Sequence, residues 1–256
     1  MTSGKPTALI TGATSGIGHE FAVQLARRGH DLVIVARDYA RLQQVARDLS
    51  STYAAHVETL VADLSDRAAL QTVADRAADR DRPVDVLVNN AGFALKSSFL
   101  QGNLRDEEAL LDVLVRAVLV LTHAAAPGMR ERGRGSIINV SSVAAFLASG
   151  TYSAAKSWVT VFTEGLATEL AGTGVTATAL CPGFTHTEFH ERARLSRQAP
   201  EFLWLDVDQL VADCLDDVAK GRVVSVPSIQ YKAVVGLLRV LPRSLVRGRG
   251  QLRRRR

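Results

Sequence analysis

Tyr152 and Lys156 begin and end the segment Tyr152-Ser153-Ala154-Ala155-Lys156, so a helix starting here carries a phenol and an ammonium on one face. A phenol ordinarily loses its proton near about pH 10, and a neighbouring cation favours the phenolate, so such a pair can exchange a proton near neutrality. Upstream, Gly135-Ser136-Ile137-Ile138-Asn139-Val140-Ser141-Ser142 reads as a strand that ends in hydroxyls. A serine at the carboxyl end of a strand in an open α/β sheet stands where such sheets bind ligands. Ser142 therefore joins the Tyr–Lys pair as a candidate for proton-transfer chemistry.

A second group of residues suits a phosphate. Ala8-Leu9-Ile10 runs into Thr11-Gly12-Ala13-Thr14-Ser15-Gly16-Ile17-Gly18 and then into a helical pattern. Glycines let the backbone approach a pyrophosphate, and the free N–H groups and positive dipole end of the following helix attract it. The expected contacts are Gly12, Thr14, Ser15, Gly16, Ile17 and Gly18. The spacing G-x-x-x-G-x-G is not the commoner dinucleotide fingerprint, and a plain tight turn is the competing reading. The next strand, Leu32-Val33-Ile34-Val35, ends in Ala36-Arg37, with Arg37 19 residues beyond Gly18, where a ribose-binding acid is the usual occupant. A guanidinium there pairs with a 2′-phosphate that a carboxylate would repel, and Arg41 can assist from one turn further on. These residues point to NADP(H), with Asp38 on an NAD ribose as the alternative.

The elements that must hold these groups alternate along the chain. Apolar runs ending at Ile10, Ala36, Val61, Val88, Val140 and Leu180 read as buried parallel strands. Amphipathic runs at 21–28, 41–49, 68–78, 107–126 and 158–170 read as helices. Such alternation predicts right-handed βαβ units and a single-domain Rossmann-type α/β fold, a doubly wound parallel sheet flanked by helices. With no Pro/Gly/Ser-rich linker in this stretch, one catalytic domain is expected over 4–226, followed by a basic amphipathic tail over 227–256. The strand rhythm lapses from Gly183 to Asp206.

Composition narrows the class. A chain of 256 residues with 47% hydrophobic and 22% charged residues is too apolar to be disordered as a whole. Two cysteines, Cys181 and Cys214, exclude a disulfide scaffold and suit a reducing cytoplasm. The chain passes from Lys5 straight into a strand-like segment, so no signal peptide is expected. The uncharged stretch Ser136–Ala155 is too polar for a membrane span. The formal charge of +5 resolves into eight arginines and no acid over 239–256, which leaves −3 on residues 1–238. A mildly acidic body carries a basic tail, so net charge does not argue for a nucleic-acid partner.

In combination these motifs resemble the short-chain dehydrogenase/reductases over about residues 5–190. The resemblance adds Asp63-Leu64 as an adenine contact and Asn89-Asn90-Ala91-Gly92 as the turn supporting the central strand. It also adds Pro182-Gly183 with Thr185 and Thr187 as the segment that holds the nicotinamide amide. It implies hydride transfer between NADP(H) and a carbonyl/alcohol pair, with an apolar ketone or 3-oxoacyl compound as substrate and a homodimer or homotetramer as the assembly. In that scheme Tyr152 protonates the incipient alkoxide and Ser142 hydrogen-bonds the carbonyl oxygen. Lys156 holds the ribose hydroxyls and lowers the pKa of Tyr152. Two departures from the pattern stand out. Leu114 occupies the position where many members have a water-binding asparagine, and Asn103 lies too far upstream to replace it. Ser142 precedes Tyr152 by 10 residues, about three fewer than common, which makes Ser141 a fallback. A slow or inactive NADP-binding regulatory or scaffold protein is the alternative these departures raise.

Other signals are weaker. His186 and His190 flank Glu188, but the glutamate is misplaced for a zinc helix and no third ligand cluster is evident, so no metal is expected. Phe189, Phe202, Leu203 and Trp204 either line an apolar pocket or pack ordinarily. In the tail, Val234, Val235, Leu238, Leu241 and Leu245 recur at helical spacings among Arg239, Arg243 and Arg247, with Pro242 as a breaker. A solvated or subunit-packing terminus, a membrane-surface contact and a polyanion contact compete. The apolar stripe favours a membrane surface over nucleic acid.

Overall fold

The structure, a computed structural model, describes residues 4–187 and 200–242. Seven parallel strands form one sheet: β1 (Thr7–Thr11), β2 (Asp31–Ala36), β3 (Val57–Val61), β4 (Val86–Asn89), β5 (Gly135–Val140), β6 (Val175–Leu180) and β7 (Val224–Ser225). Their spatial order, β3-β2-β1-β4-β5-β6-β7, reverses direction between β1 and β4 and opens a crevice at the carboxyl ends there. The doubly wound parallel sheet expected from the sequence is the observed fold.

Successive strand residues point to opposite faces, and each face is covered by its own helices. Ile10, Leu32, Ile34, Val88 and Ile138 pack with Phe21 and Leu25 of α1 (Gly16–Arg27), Leu42 of α2 (Tyr39–Tyr53) and Leu210. On the other face, Leu9, Val33, Val35, Leu87 and Ile137 pack with Leu70 and Val73 of α3 (Arg67–Ala78), with Leu121 and Met129, and with Leu170. Burying each of these side chains contributes about 1.5–3 kcal/mol, which is why the strands read as unbroken apolar runs.

A continuous helical run crosses from α4 (Leu104–Leu111) through a π turn at Asp112–Arg116 into α5 (Ala117–Arg132). It extends past Pro127, where the sequence pattern suggested an end. By length and composition this run could cross a membrane, yet Leu110, Leu114, Leu121 and Met129 are fully buried within the fold. The next helix, α6 (Gly150–Glu169), begins just before Tyr152, where the sequence placed its opening, and carries on through the amphipathic run at 158–170. Two later elements had not been expected, α7 (Val207–Ala219), carrying Leu210, and β7; α8 (Ile229–Val240) then forms where the tail's apolar residues recur at helical spacings and ends before Pro242. The domain boundary expected at residue 226 falls inside continuous packing, because Tyr231 and Val235 of α8 are buried with Ala179, Cys181 and Val226.

Polar side chains also tie the middle of the sheet together. Asn89 faces Asn139 across β4 and β5, and its amide donates to Asn139 Oδ1 at 2.8 Å and to Thr122 Oγ1 at 3.1 Å. Asn139 donates in turn to Thr163 Oγ1 at 3.0 Å, so one buried chain links α5, β4, β5 and α6.

Candidate active site

The glycine loop connects β1 to α1 at the crevice. Gly12 adopts φ +69°, and a Cβ there would come within 2.8 Å of Asn90 Nδ2. Asn90 donates from Nδ2 to the carbonyls of Thr11 (2.9 Å) and Gly12 (3.3 Å). The Thr11 hydroxyl accepts from the backbone N–H groups of Asn90 and Ala91, each at 3.0 Å, so the turn after β4 clamps the loop. Ser15 precedes α1 without a side-chain cap bond, and Gly16 and Ile17 of the first turn line the cleft. The first-turn N–H groups lack intrahelical acceptors and present partial positive charge to an anion. Gly18 is the one expected cofactor residue absent from the cleft wall. A Cβ on it would run into the Gly12 carbonyl and Asn90 Nδ2, so its role is to let α1 close against the loop.

At the end of β2, the Arg37 guanidinium is largely exposed and lies 3.8 Å from Asp63 Oδ2. Burial alone would raise the Asp63 carboxyl, but hydrogen bonds from Ser65 and the charge of Arg37 carry it below its ordinary value. Asp38 caps α2 by accepting from the Arg41 N–H at 3.0 Å through Oδ1. Arg41 reaches back to the Thr14 carbonyl at 3.3 Å. Leu64, Ala91 and Gly92 complete this half of the cleft with Asp63 and Asn90.

The two serines after β5 have separate duties. Ser141 is buried, and its hydroxyl bonds the Lys156 carbonyl (2.7 Å) and Thr160 Oγ1 (2.8 Å), fixing α6 to β5. Ser142 faces the cleft, accepts from the Ala144 N–H at 3.1 Å and is hydrogen-bonded to the Tyr152 hydroxyl. The short connection thus keeps Ser142 beside the phenol, through a 3₁₀ turn at Val143–Phe146, and leaves Ser141 with a packing role.

Lys156 Nζ donates to the Val140 carbonyl at 2.7 Å and lies 5.8 Å from the centre of the Tyr152 ring. Burial pushes Tyr152 up to about 12, against the opposing hydrogen bond from Ser142, and pushes Lys156 down to about 8. The lowering of the phenol expected from the ammonium does not appear: loss of solvent dominates, and the opposing influence comes from Ser142 rather than Lys156. Leu114, in the π turn, is buried with Leu110 and Ala155 against Phe93 and Tyr152, so an apolar cluster backs the phenol where a water-binding amide was the usual feature.

Beyond β6 the chain bends sharply. Pro182, Gly183, Thr185 and Thr187 all line the cleft, and a Cβ on Gly183 would overlap the Tyr231 ring. The Tyr231 hydroxyl accepts from the Phe184 N–H at 3.0 Å and donates to the Leu203 carbonyl at 2.8 Å. A parallel bridge from Thr185 to Leu205 fixes the same segment from the other side. Of the aromatic group expected near the substrate, Leu203 lines the cleft, Phe202 is exposed and Trp204 packs on Phe184 and His186. Phe189 lies outside the described residues, as do Glu188 and His190 of the zinc reading. Among the described residues no group of three metal-ligating side chains occurs.

The whole cleft has a volume of about 1280 Å³, more than the roughly 300–1,000 Å³ of an ordinary small-molecule site. Its nucleotide half has the glycine cradle, free N–H groups and cations that a dinucleotide phosphate needs. The far half is lined by Phe93, Leu147, Phe184, Leu203, Val234 and Leu238. Sequence reading missed Phe93, Leu147 and Phe184 because single apolar residues in loops carry no periodic signal. Val234 and Leu238 were visible only as part of a tail.

Comparison with known proteins agrees with this geometry. Residues 6–198 match the family model described as short chain dehydrogenase. Sulfoacetaldehyde reductase 2 of Chromohalobacter salexigens is 38% identical over 218 residues, covering 83% of this chain and 84% of that protein. A short-chain dehydrogenase from Sphingobium yanoikuyae, solved in complex with NADPH, superposes with a TM-score of 0.84 at 36% identity, over 93% of this chain and 97% of that one. The bulky-bulky ketone specific alcohol dehydrogenase of Comamonas testosteroni gives a TM-score of 0.79 at 32% identity, over 93% and 96% of the two chains.

Proposed function

We propose, from the premise that this chain belongs to the short-chain dehydrogenase/reductase family of oxidoreductases, that it reduces a bulky apolar ketone or oxoacyl compound with NADPH. The observation that carries this reading is the hydrogen-bonded Ser142–Tyr152 pair on the wall of the same cleft that the glycine loop opens. A bound nicotinamide supplies the hydride. Ser142 holds the substrate oxygen, and Tyr152 delivers its proton to that oxygen as charge develops there. Lys156 Nζ, fixed by the Val140 carbonyl, holds the ribose hydroxyls. Arg37 and Arg41 take the 2′-phosphate, while Gly12, Thr14, Ser15, Gly16 and Ile17 surround the pyrophosphate. Asp63, Leu64, Asn90, Ala91 and Gly92 contact the adenosine side, and Pro182, Gly183, Thr185 and Thr187 the nicotinamide side. The apolar side chains of Phe93, Leu147, Phe184, Leu203, Val234 and Leu238 along the far half favour a bulky substrate with apolar surface to bury.

An absorbance assay of NADPH oxidation against a panel of aryl ketones, steroids and oxoacyl thioesters tests the reading. Turnover of bulky ketones is the expected result. NADPH binding without turnover anywhere in the panel would instead favour the regulatory reading that Leu114 raises.

Arg37→Ala should raise the KM for NADPH about tenfold and leave NADH kinetics unchanged, because an exposed charge-assisted contact to a phosphate is lost. Equal effects on both cofactors would take Arg37 off the phosphate.

Activity should also report Lys156. Its charged form exists below its value of about 8 and vanishes above it. The kcat/KM for NADPH, which reports groups of the free enzyme, should therefore be level near neutrality and fall above about pH 8. A profile still level past about pH 9 would separate Lys156 from cofactor binding.

A further inference from the structure

α8 presents two apolar faces, and the body covers one of them. Tyr231 and Val235, four residues apart, are 5% and 4% exposed and seat the helix beside β6 and β7. Ile229, Ala233, Leu237 and Val240 recur at intervals of four, four and three, so they form a second stripe along the helix. That stripe is turned to solvent, with Ile229 83%, Leu237 54% and Val240 78% exposed. Lys232 and Arg239, about two turns apart, lie along one flank of it. The Arg239 guanidinium is itself tied to the body, 3.7 Å from Glu164 and 5.1 Å from the centre of the Phe146 ring, and the helix is thereby anchored on its cationic side. Residues 243–256 then carry seven arginines and no acid.

We propose that the outward stripe of α8, with Lys232 on its flank, is a docking surface for an anionic lipid bilayer, and that the seven arginines further along the sequence add positive charge to the attraction. An amphipathic helix binds an interface by sinking its apolar stripe below the headgroups while flanking cations meet anionic lipid. The stripe supplies the first part and Lys232 with the seven arginines the second. The charge argues against the two other occupants. A second copy meeting this face about a two-fold axis would set the flanking Lys232 and Arg239 of both copies along one apolar seam, and their repulsion opposes the contact. Nucleic acid would need polar or aromatic groups on the exposed face, where the helix offers Ile, Ala, Leu and Val. The docking rests on none of the chemistry proposed above. Where that chemistry holds, it adds a consequence: Val234 and Leu238 of the same helix line the cleft, so docking sets the cleft mouth beside the membrane in which an apolar substrate dissolves.

The test is co-sedimentation of the full chain with phosphatidylcholine vesicles, with and without about 30% phosphatidylglycerol, at low and high salt. The wild type should pellet with the anionic vesicles, and about 1 M salt should weaken that binding at least tenfold. The triple variant I229E/L237E/V240E should lose binding at least tenfold at low salt, while its melting temperature and its NADPH reduction stay unchanged. None of the three residues lines the cleft. Absence of pelleting by the wild type would overturn the proposal, as would equal pelleting by the triple variant. Duplex DNA bound as tightly as the vesicles, with no loss in the triple variant, would assign the arginines to polyanions. Dissociation of a dimer by the triple variant, with vesicle binding untouched, would assign the stripe to a second copy.

Discussion

Tyr152→Phe should reduce kcat for ketone reduction about a thousandfold, within the range expected when a general acid is deleted, and leave NADPH affinity within about twofold. The substitution removes one oxygen. The ring keeps its neighbours Leu110, Leu114 and Ala155, so the fold has no reason to respond. Ser142 keeps its bond from the Ala144 N–H and its place at the wall. The direction of the pKa strengthens the expectation. With Tyr152 pushed up to about 12, the phenol holds its proton throughout the neutral range and stands ready as an acid. Alcohol oxidation needs the deprotonated form, so its rate should climb with pH where reduction does not. NADPH fluorescence titration and initial-rate assays check both halves. A variant that keeps more than about a tenth of wild-type kcat would remove Tyr152 from the chemistry.

Gly18→Ala should be the most damaging single-atom addition in the nucleotide half. The new methyl meets the Gly12 carbonyl and the Asn90 amide, and neither is the free end of a flexible chain. Asn90 is held by two carbonyls through Nδ2 and by Thr11 through its backbone. Something must move, and overpacking of this kind costs about 1–3 kcal/mol. For a chain of this size that is a fall in Tm of roughly 2–12 °C. Because the displaced atoms belong to the cofactor cradle, the KM for NADPH should rise at least about tenfold, as it does when a positioned phosphate contact is lost. A variant with wild-type Tm and KM would mean that α1 can slide away from the loop at no cost.

The residues that carry these two predictions were not equally legible in the sequence. Tyr152, Lys156 and Arg37 could be found because each has a side chain whose chemistry depends on its position relative to a strand end, and strand ends announce themselves through apolar runs. Gly18 was found for the wrong reason: glycine marks a close approach without saying whether the approaching atom is a phosphate or a backbone carbonyl. Ser141 and Ser142 are identical in type and adjacent, and only the pleat of β5 and the start of the 3₁₀ turn separate a packing hydroxyl from a cleft hydroxyl. The far wall was invisible for another reason. β7 has two residues, too few for an alternation to register, and without it α8 read as a tail after the domain rather than as a wall of the site. Tyr231 gave no sign of its two hydrogen bonds, since both partners are backbone atoms about 30 to 50 positions away in sequence.

The buried amide chain through Asn89 and Asn139 bears on timing and tolerance as well as on shape. The glycine loop hangs from β1 and β4, while Ser142 and Tyr152 hang from β5 and α6, so the junction between β4 and β5 is the joint between the two halves of the catalytic geometry. A slip of one residue there would turn the slipping strand's amide to the opposite face, break the Asn89–Asn139 bond and orphan that amide's threonine, leaving no low-energy intermediate setting. The joint is therefore detented rather than sliding. A misplacement of about 1 Å between hydride donor and proton donor can cost on the order of a hundredfold in rate. An interlock that admits one register holds that spacing against thermal jitter.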